Sequence, residues 1–157
     1  MWGAGSPRIG ILMGSAGDRE QLEEAIRILQ DFGVDHEVNV LSAHRNPDKV
    51  REYVQAAEGR GIRVLICAAG LAAHLAGATA AQTTLPVIGI PIQGGALNGL
   101  DALLATVQMP RGTPVATMAI GKHGAVNAAL FALQILALED SGIREKLKQR
   151  KAEAASQ

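Results

Sequence analysis

Short apolar runs, each followed by a segment of helical period, constrain this chain more than any other feature of its sequence. Residues 9–13 (Ile-Gly-Ile-Leu-Met) end at Gly14-Ser15 and read as a buried first strand. Asp18 then opens a helix in which Leu22, Ala25, Ile26 and Leu29 recur at helical spacing until Gly33 stops it. Residues 36–41 alternate apolar and polar side chains, as a strand nearer a sheet edge does. Pro47 suits the first turn of a second helix, whose core face is Val50, Tyr53, Val54 and Ala57. Residues 63–68 form a third strand, 70–81 a helix or loop-helix of small residues, and 87–90 a fourth strand. A helix over 97–107, a fifth strand over 115–119 and a helix over 124–138 complete the series.

Five apolar strands with helices between them predict an α/β fold, a parallel sheet covered on both faces. With apolar residues at 48% and aromatics at only 3%, its core must be aliphatic. The 157 residues suffice for one such domain without staples, and no repeat or linker divides them. The expected organisation is a single α/β domain over 1–157, with a flexible lead-in at 1–7 and a solvated helix and tail at 141–157. The segment 124–138 is apolar on nearly every side, which predicts burial on several faces and a second subunit to provide it.

Charge excludes some partners. Lys+Arg and Asp+Glu both total 15, so no global field favours nucleic acid or an anionic membrane. No stretch reaches the run of about 18 apolar residues that a membrane span needs. Residues 1–7 have neither the basic region nor the apolar stretch of a signal peptide, and a cytoplasmic protein is expected. The single cysteine, Cys67, lies in the third strand and reads as a small buried hydrophobe. The chain shows no metal-binding spacing of Cys and His.

In open parallel sheets ligands bind at the carboxyl ends of the strands, which nominates three loops. The first, residues 14–18, combines two glycines, a hydroxyl and a carboxylate before a helix. Ser15 and the backbone N–H groups can meet an anion, and Asp18 can accept from ribose hydroxyls; Asp18 also reads as a plain N-cap. The second, Ser42-Ala43-His44-Arg45-Asn46-Pro47, places hydroxyl, imidazole and guanidinium together. Arg45 offers a planar fork for phosphate, Ser42 can donate beside it, and His44 is the proton carrier. The third, residues 69–77, is apolar apart from His74, either a satisfied interior histidine or a second imidazole facing ligand. His36 and His123 read as structural or surface residues.

Together these loops resemble those of the class I purine-biosynthesis mutases that act on N5-carboxyaminoimidazole ribonucleotide. The resemblance spans about 8–138 and rests on Met13-Gly14-Ser15, Ser42-Ala43-His44-Arg45 with Pro47-Asp48, and Ala72-Ala73-His74-Leu75 with Gly77. It continues through Leu97-Asn98-Gly99-Leu100-Asp101 and Val107-Gln108-Met109-Pro110. It implies a three-layer flavodoxin-like domain with a five-stranded sheet, assembled as an octamer with sites at subunit junctions. It also implies an isomerase that needs no cofactor and no metal and takes a small aminoimidazole ribonucleotide as substrate. The carboxyl group leaves the exocyclic nitrogen, and the carbon dioxide held in the site adds to the ring carbon. Carried over, Ser15 and Asp18 hold the ribose side, Ser42 and Arg45 the phosphate, and Gly70 and Leu75 further contacts. His44 delivers and recovers a proton, and His74 lines the ring or carbon dioxide pocket. The sequence departs from the family pattern at Gly17 (usually Ser), Leu71 (Gly), Ala76 (Pro) and Ala78 (Met). The first two motivate a rival reading, a relative turned to another phosphorylated heteroaromatic. A non-catalytic nucleotide-binding subunit is the third reading, and the two retained histidines count against it.

Overall fold

The computed structural model describes residues 8–156, so the lead-in at 1–7 lies outside the described residues. Five strands form one parallel sheet in the order β2-β1-β3-β4-β5. They are β1 (Ile9–Met13), β2 (His36–Val40), β3 (Val64–Ala69), β4 (Val87–Pro91) and β5 (Ala116–Thr117). The helices are α1 (Arg19–Asp31), α2 (Pro47–Ala57), α3 (Leu75–Ala80), α4 (Leu100–Val107), α5 (Lys122–Leu136) and α6 (Ser141–Ala155).

The apolar runs form strands because both faces of the sheet are covered, so each strand can be hydrophobic throughout. Alternate residues serve different layers. Ile9, Ile11 and Met13 of β1 join Val64, Ile66 and Ala68 of β3 in a core closed by α1, α5 and α6. Leu12, Leu65 and Cys67 point the other way and pack with Val50, Val54 and Leu75 of α2 and α3. Burial pushes the Cys67 thiol up to about 12, as expected of an inert core sulfur.

Two expectations need correction. The helix predicted over 97–107 starts only at Leu100, because Asn98 (φ 52°) and Gly99 (φ 94°) adopt left-handed conformations that no right-handed helix accommodates. The fifth strand is two residues long instead of five; it lies at the sheet edge and pairs only with β4. Helix α5 buries its small-residue face, including Ala125, Ala128, Ala129 and Ala132, within its own chain. Along α4 and the turn before it, Leu97, Leu100, Leu104 and Val107 are each at least 49% exposed. No helix among the described residues is long and apolar enough to cross a membrane.

Candidate functional site

After β1 the chain crosses to β2 on one side, and after β2 it returns to β3 on the other. The loops that follow β1 and β3 therefore diverge from neighbouring strands and leave a crevice at their carboxyl ends. The loop after β2 closes it. An open cavity of about 560 Å³ fills this crevice. Its polar wall is Ser15, Asp18, Ser42 and Arg45; its apolar wall is Ala43, Ala69, Leu71, Ala72 and Leu75. His44 and His74 also line it, as do Gly14 and Gly70. All eight residues singled out in the sequence as candidate site residues thus meet in one place, although Leu75 is itself buried and packs mainly in the core. His36 lies at the amino end of β2 with Nδ1 2.8 Å from the Val34 carbonyl oxygen, and His123 is exposed in α5 outside this cavity.

The first loop is held by a reciprocal cap. The Gly17 N–H donates to Ser15 Oγ at 3.3 Å, and the Ser15 N–H donates to Asp18 Oδ2 at 3.1 Å. Asp18 thus caps the Ala16–Asp18 turn ahead of α1, where it makes no side-chain cap of its own. Partial burial raises the Asp18 carboxyl above the usual carboxylate range; the bond from Ser15 and the charge of Arg45 oppose that rise without cancelling it. A Cβ on Gly17 would touch only Ser15 Oγ, at 3.7 Å, so local packing does not impose glycine there.

Polar bonds stitch the second loop together. The Ser42 N–H donates to Asn46 Oδ1 at 2.6 Å, the Asn46 N–H to the Ser42 carbonyl at 3.0 Å, and the Arg45 N–H to Ser42 Oγ at 3.2 Å. Arg45 Nη2 donates to the Gly14 carbonyl at 2.5 Å, tying this loop to the first and leaving further guanidinium N–H groups for an anion. Asn46 is a residue the sequence reading passed over; its signal was the Asn-Pro pair that opens α2.

The third loop is built differently. Leu71 has φ 54°, after which the Ala73 N–H donates to the Leu71 carbonyl and the His74 N–H to the Ala72 carbonyl, both at 2.9 Å. This tight turn puts His74 at the N-cap of α3 and swings its ring towards the second loop. His44 Nε2 lies 2.7 Å from His74 Nδ1, with ring centroids 4.7 Å apart and planes nearly perpendicular. Two ring nitrogens at that distance share one proton: whichever imidazole donates, the other accepts. The interior-histidine reading of His74 falls, since its ring is exposed at the cavity and bonded to His44.

Gln21 carries no signal in the sequence, because a glutamine on a polar helix face looks like any solvated side chain. Gln21 of α1 donates through Nε2 to the Gln93 carbonyl at 2.9 Å and accepts the Gln93 N–H at 3.0 Å, fixing the loop after β4. Among the described residues, no group of three His, Cys, Asp or Glu side chains could hold a metal ion.

Residues 8–157 match the AIR carboxylase family. The chain belongs to that family. AIR carboxylase relatives include the N5-carboxyaminoimidazole ribonucleotide mutase of Pyrococcus abyssi, 56% identical over 92% of this chain and 82% of that protein. The mutase of the same description from Bacillus subtilis is 55% identical over 92% of this chain and 90% of its own length. Within the same fold, the crystal structure of Treponema denticola PurE superposes with a TM-score of 0.86, covering 96% of this chain and 92% of that one at 26% identity.

Proposed function

We propose that this chain is an N5-carboxyaminoimidazole ribonucleotide mutase of purine biosynthesis, an isomerase that moves a carboxyl group from the exocyclic nitrogen to the ring carbon. The carrying observation is the 2.7 Å contact between His44 and His74 at the cavity, beside a wall that presents Arg45 and Ser42. Identities of 50–56% to mutases from several organisms support the same reading.

Arg45 and Ser42 hold the phosphate through charge-assisted bonds, and Ser15 and Asp18 hold the ribose side. The imidazole ring then lies by the histidines, with Gly70 and Leu75 against it. As the nitrogen–carbon bond of the N-carboxylate breaks, His44 gives its proton to the nitrogen and carbon dioxide is released into the pocket. The ring carbon then bonds to that carbon dioxide and loses its own hydrogen as a proton, which His44 takes back. The reaction is an isomerisation, and His44 ends as it began. His74 steadies the shared proton and orients the His44 ring, so one imidazole acts first as acid and then as base.

The chain acts as one α/β domain and assembles as an octamer in the cytoplasm, with self-contact through the α4 ridge of Leu97, Leu100, Leu104 and Val107. Light scattering on the purified chain tests the assembly: Leu104→Glu should dissociate it, and an unchanged mass would exclude this face. The activity test is interconversion of the two carboxylated ribonucleotides by the folded, purified chain. Turnover well above the uncatalysed rate is expected, and none above it would refute the mutase reading.

A further inference from the structure

Leu71 is an unusual residue for its place. A branched side chain at φ 54° occupies a region that favours glycine, and at 56% exposure it gains little from burial. Neither backbone preference nor core packing accounts for a leucine here. Its surroundings do. A Cβ built on Gly95 would stand 2.4 Å from Leu71 Cδ2, so the leucine occupies the space that Gly95, itself at φ 69°, leaves open. Leu71 lines the cavity, whereas no residue of the 93–98 loop does; its isobutyl group stands between the two. The Gln21 bonds to Gln93 and the bond from Gln93 Nε2 to Asn98 Oδ1 at 3.0 Å hold that loop firmly behind it.

We propose that Leu71, seated on Gly95, is the wall that retains carbon dioxide in the pocket between its release and its recapture. The proposal rests on the mutase reading, in which free carbon dioxide and the decarboxylated ribonucleotide coexist in the site. Carbon dioxide carries no charge and no dipole, so apolar surface confines it without binding it tightly. Ala43, Ala69, Ala72 and Leu75 supply that surface on the inner sides. On the side of the 93–98 loop the large apolar group is Leu71. Each escape breaks the carbon–nitrogen or carbon–carbon bond, leaves the proton on the ribonucleotide and forms no new carboxylate, so escape is measurable as a loss of product.

The test starts from the ring-carboxylated ribonucleotide with ¹³C in its carboxyl group, in a buffer holding unlabelled carbon dioxide. Label lost per turnover, together with the decarboxylated ribonucleotide released, measures escape. Leu71→Gly and Leu71→Ala should each raise escape per turnover about tenfold, while turnover itself falls by a smaller factor. Leu71→Gly relieves the left-handed backbone and Leu71→Ala does not, so their thermal midpoints should differ while their escape ratios agree. Wild-type escape in both variants, with the wild-type chain active, would overturn the proposal and leave the mutase reading standing. Escape that followed the thermal midpoint would overturn it equally, as a stability effect. A folded wild-type chain without turnover would remove the mutase reading and this proposal together.

Discussion

The second and third loops each deliver one histidine to the same cavity, and they are held by opposite means. The second loop is polar, with side chains of Ser42, Arg45 and Asn46 bonded to backbone groups within it or to Gly14. The third makes no such side-chain bonds besides the one between the histidines; a left-handed Leu71, two tight backbone bonds and apolar packing fix it. The contrast suits their duties. In the proposed mechanism the polar loop faces a phosphate and can use the same donors for its own structure. In the same mechanism the other presents an apolar wall beside the reacting carbon, where packing and backbone conformation replace hydrogen bonds.

Removing the two histidines separates the loops most sharply. His44→Asn should lower kcat by about 10³-fold or more, with ligand affinity by calorimetry changing only a few-fold. His74→Asn, acting through its partner, should lower kcat by about 10- to 100-fold, because the remaining imidazole loses its bonded neighbour. Equal losses in the two variants would erase the distinction between the ring that moves the proton and the ring that steadies it. Arg45→Ala should act mainly on KM, raising it about tenfold or more, since a charged hydrogen bond contributes about 1.5–3 kcal/mol. A fall in kcat alone would place Arg45 at the chemistry instead of the phosphate.

Stability effects come next. Asn46→Ala leaves the partly buried Ser42 N–H without its acceptor and should cost about 1–2 kcal/mol in denaturant unfolding. No single side chain of the third loop offers a comparable bond to remove. The first loop gives the smallest effect, and its sign is informative. Because the folded-state pKa of Asp18 is raised above its unfolded value of about 3.8, the ionised carboxylate is a cost to folding at neutral pH. That cost disappears below the unfolded pKa. Asp18→Asn should therefore keep or slightly raise the thermal midpoint at pH 7 while weakening ligand affinity, with the gain lost below about pH 4. A lower midpoint at pH 7 would mean that the carboxylate serves the fold and not the ligand.

The same contrast governs what the sequence revealed. Strand positions were legible from apolar runs, and the second loop from its density of hydroxyl, imidazole and guanidinium groups. The third loop was harder to read, because alanines and a leucine carry no chemical label; Leu71 stood out only against the glycine of the resembling family. That His44 and His74 touch depends on strand order, with β1 between β2 and β3, and no periodicity encodes that order. Residues 97–99 looked helical because Asn98 betrays nothing of its left-handed backbone. Helix α5 looked too apolar for one subunit, yet α1, α6 and the sheet cover its small-residue face, while the shorter α4 keeps its leucines outside. Composition shows how apolar a helix is; only packing shows which chain covers it.

Two loops of different construction present one proton-sharing unit, His44 and His74. A double-mutant cycle in kcat over His44→Asn, His74→Asn and the pair tests it most directly. The account predicts that the double variant is no slower than His44→Asn alone, since a steadying ring has nothing left to steady. Losses that multiply across the two sites would contradict it and make the histidines independent.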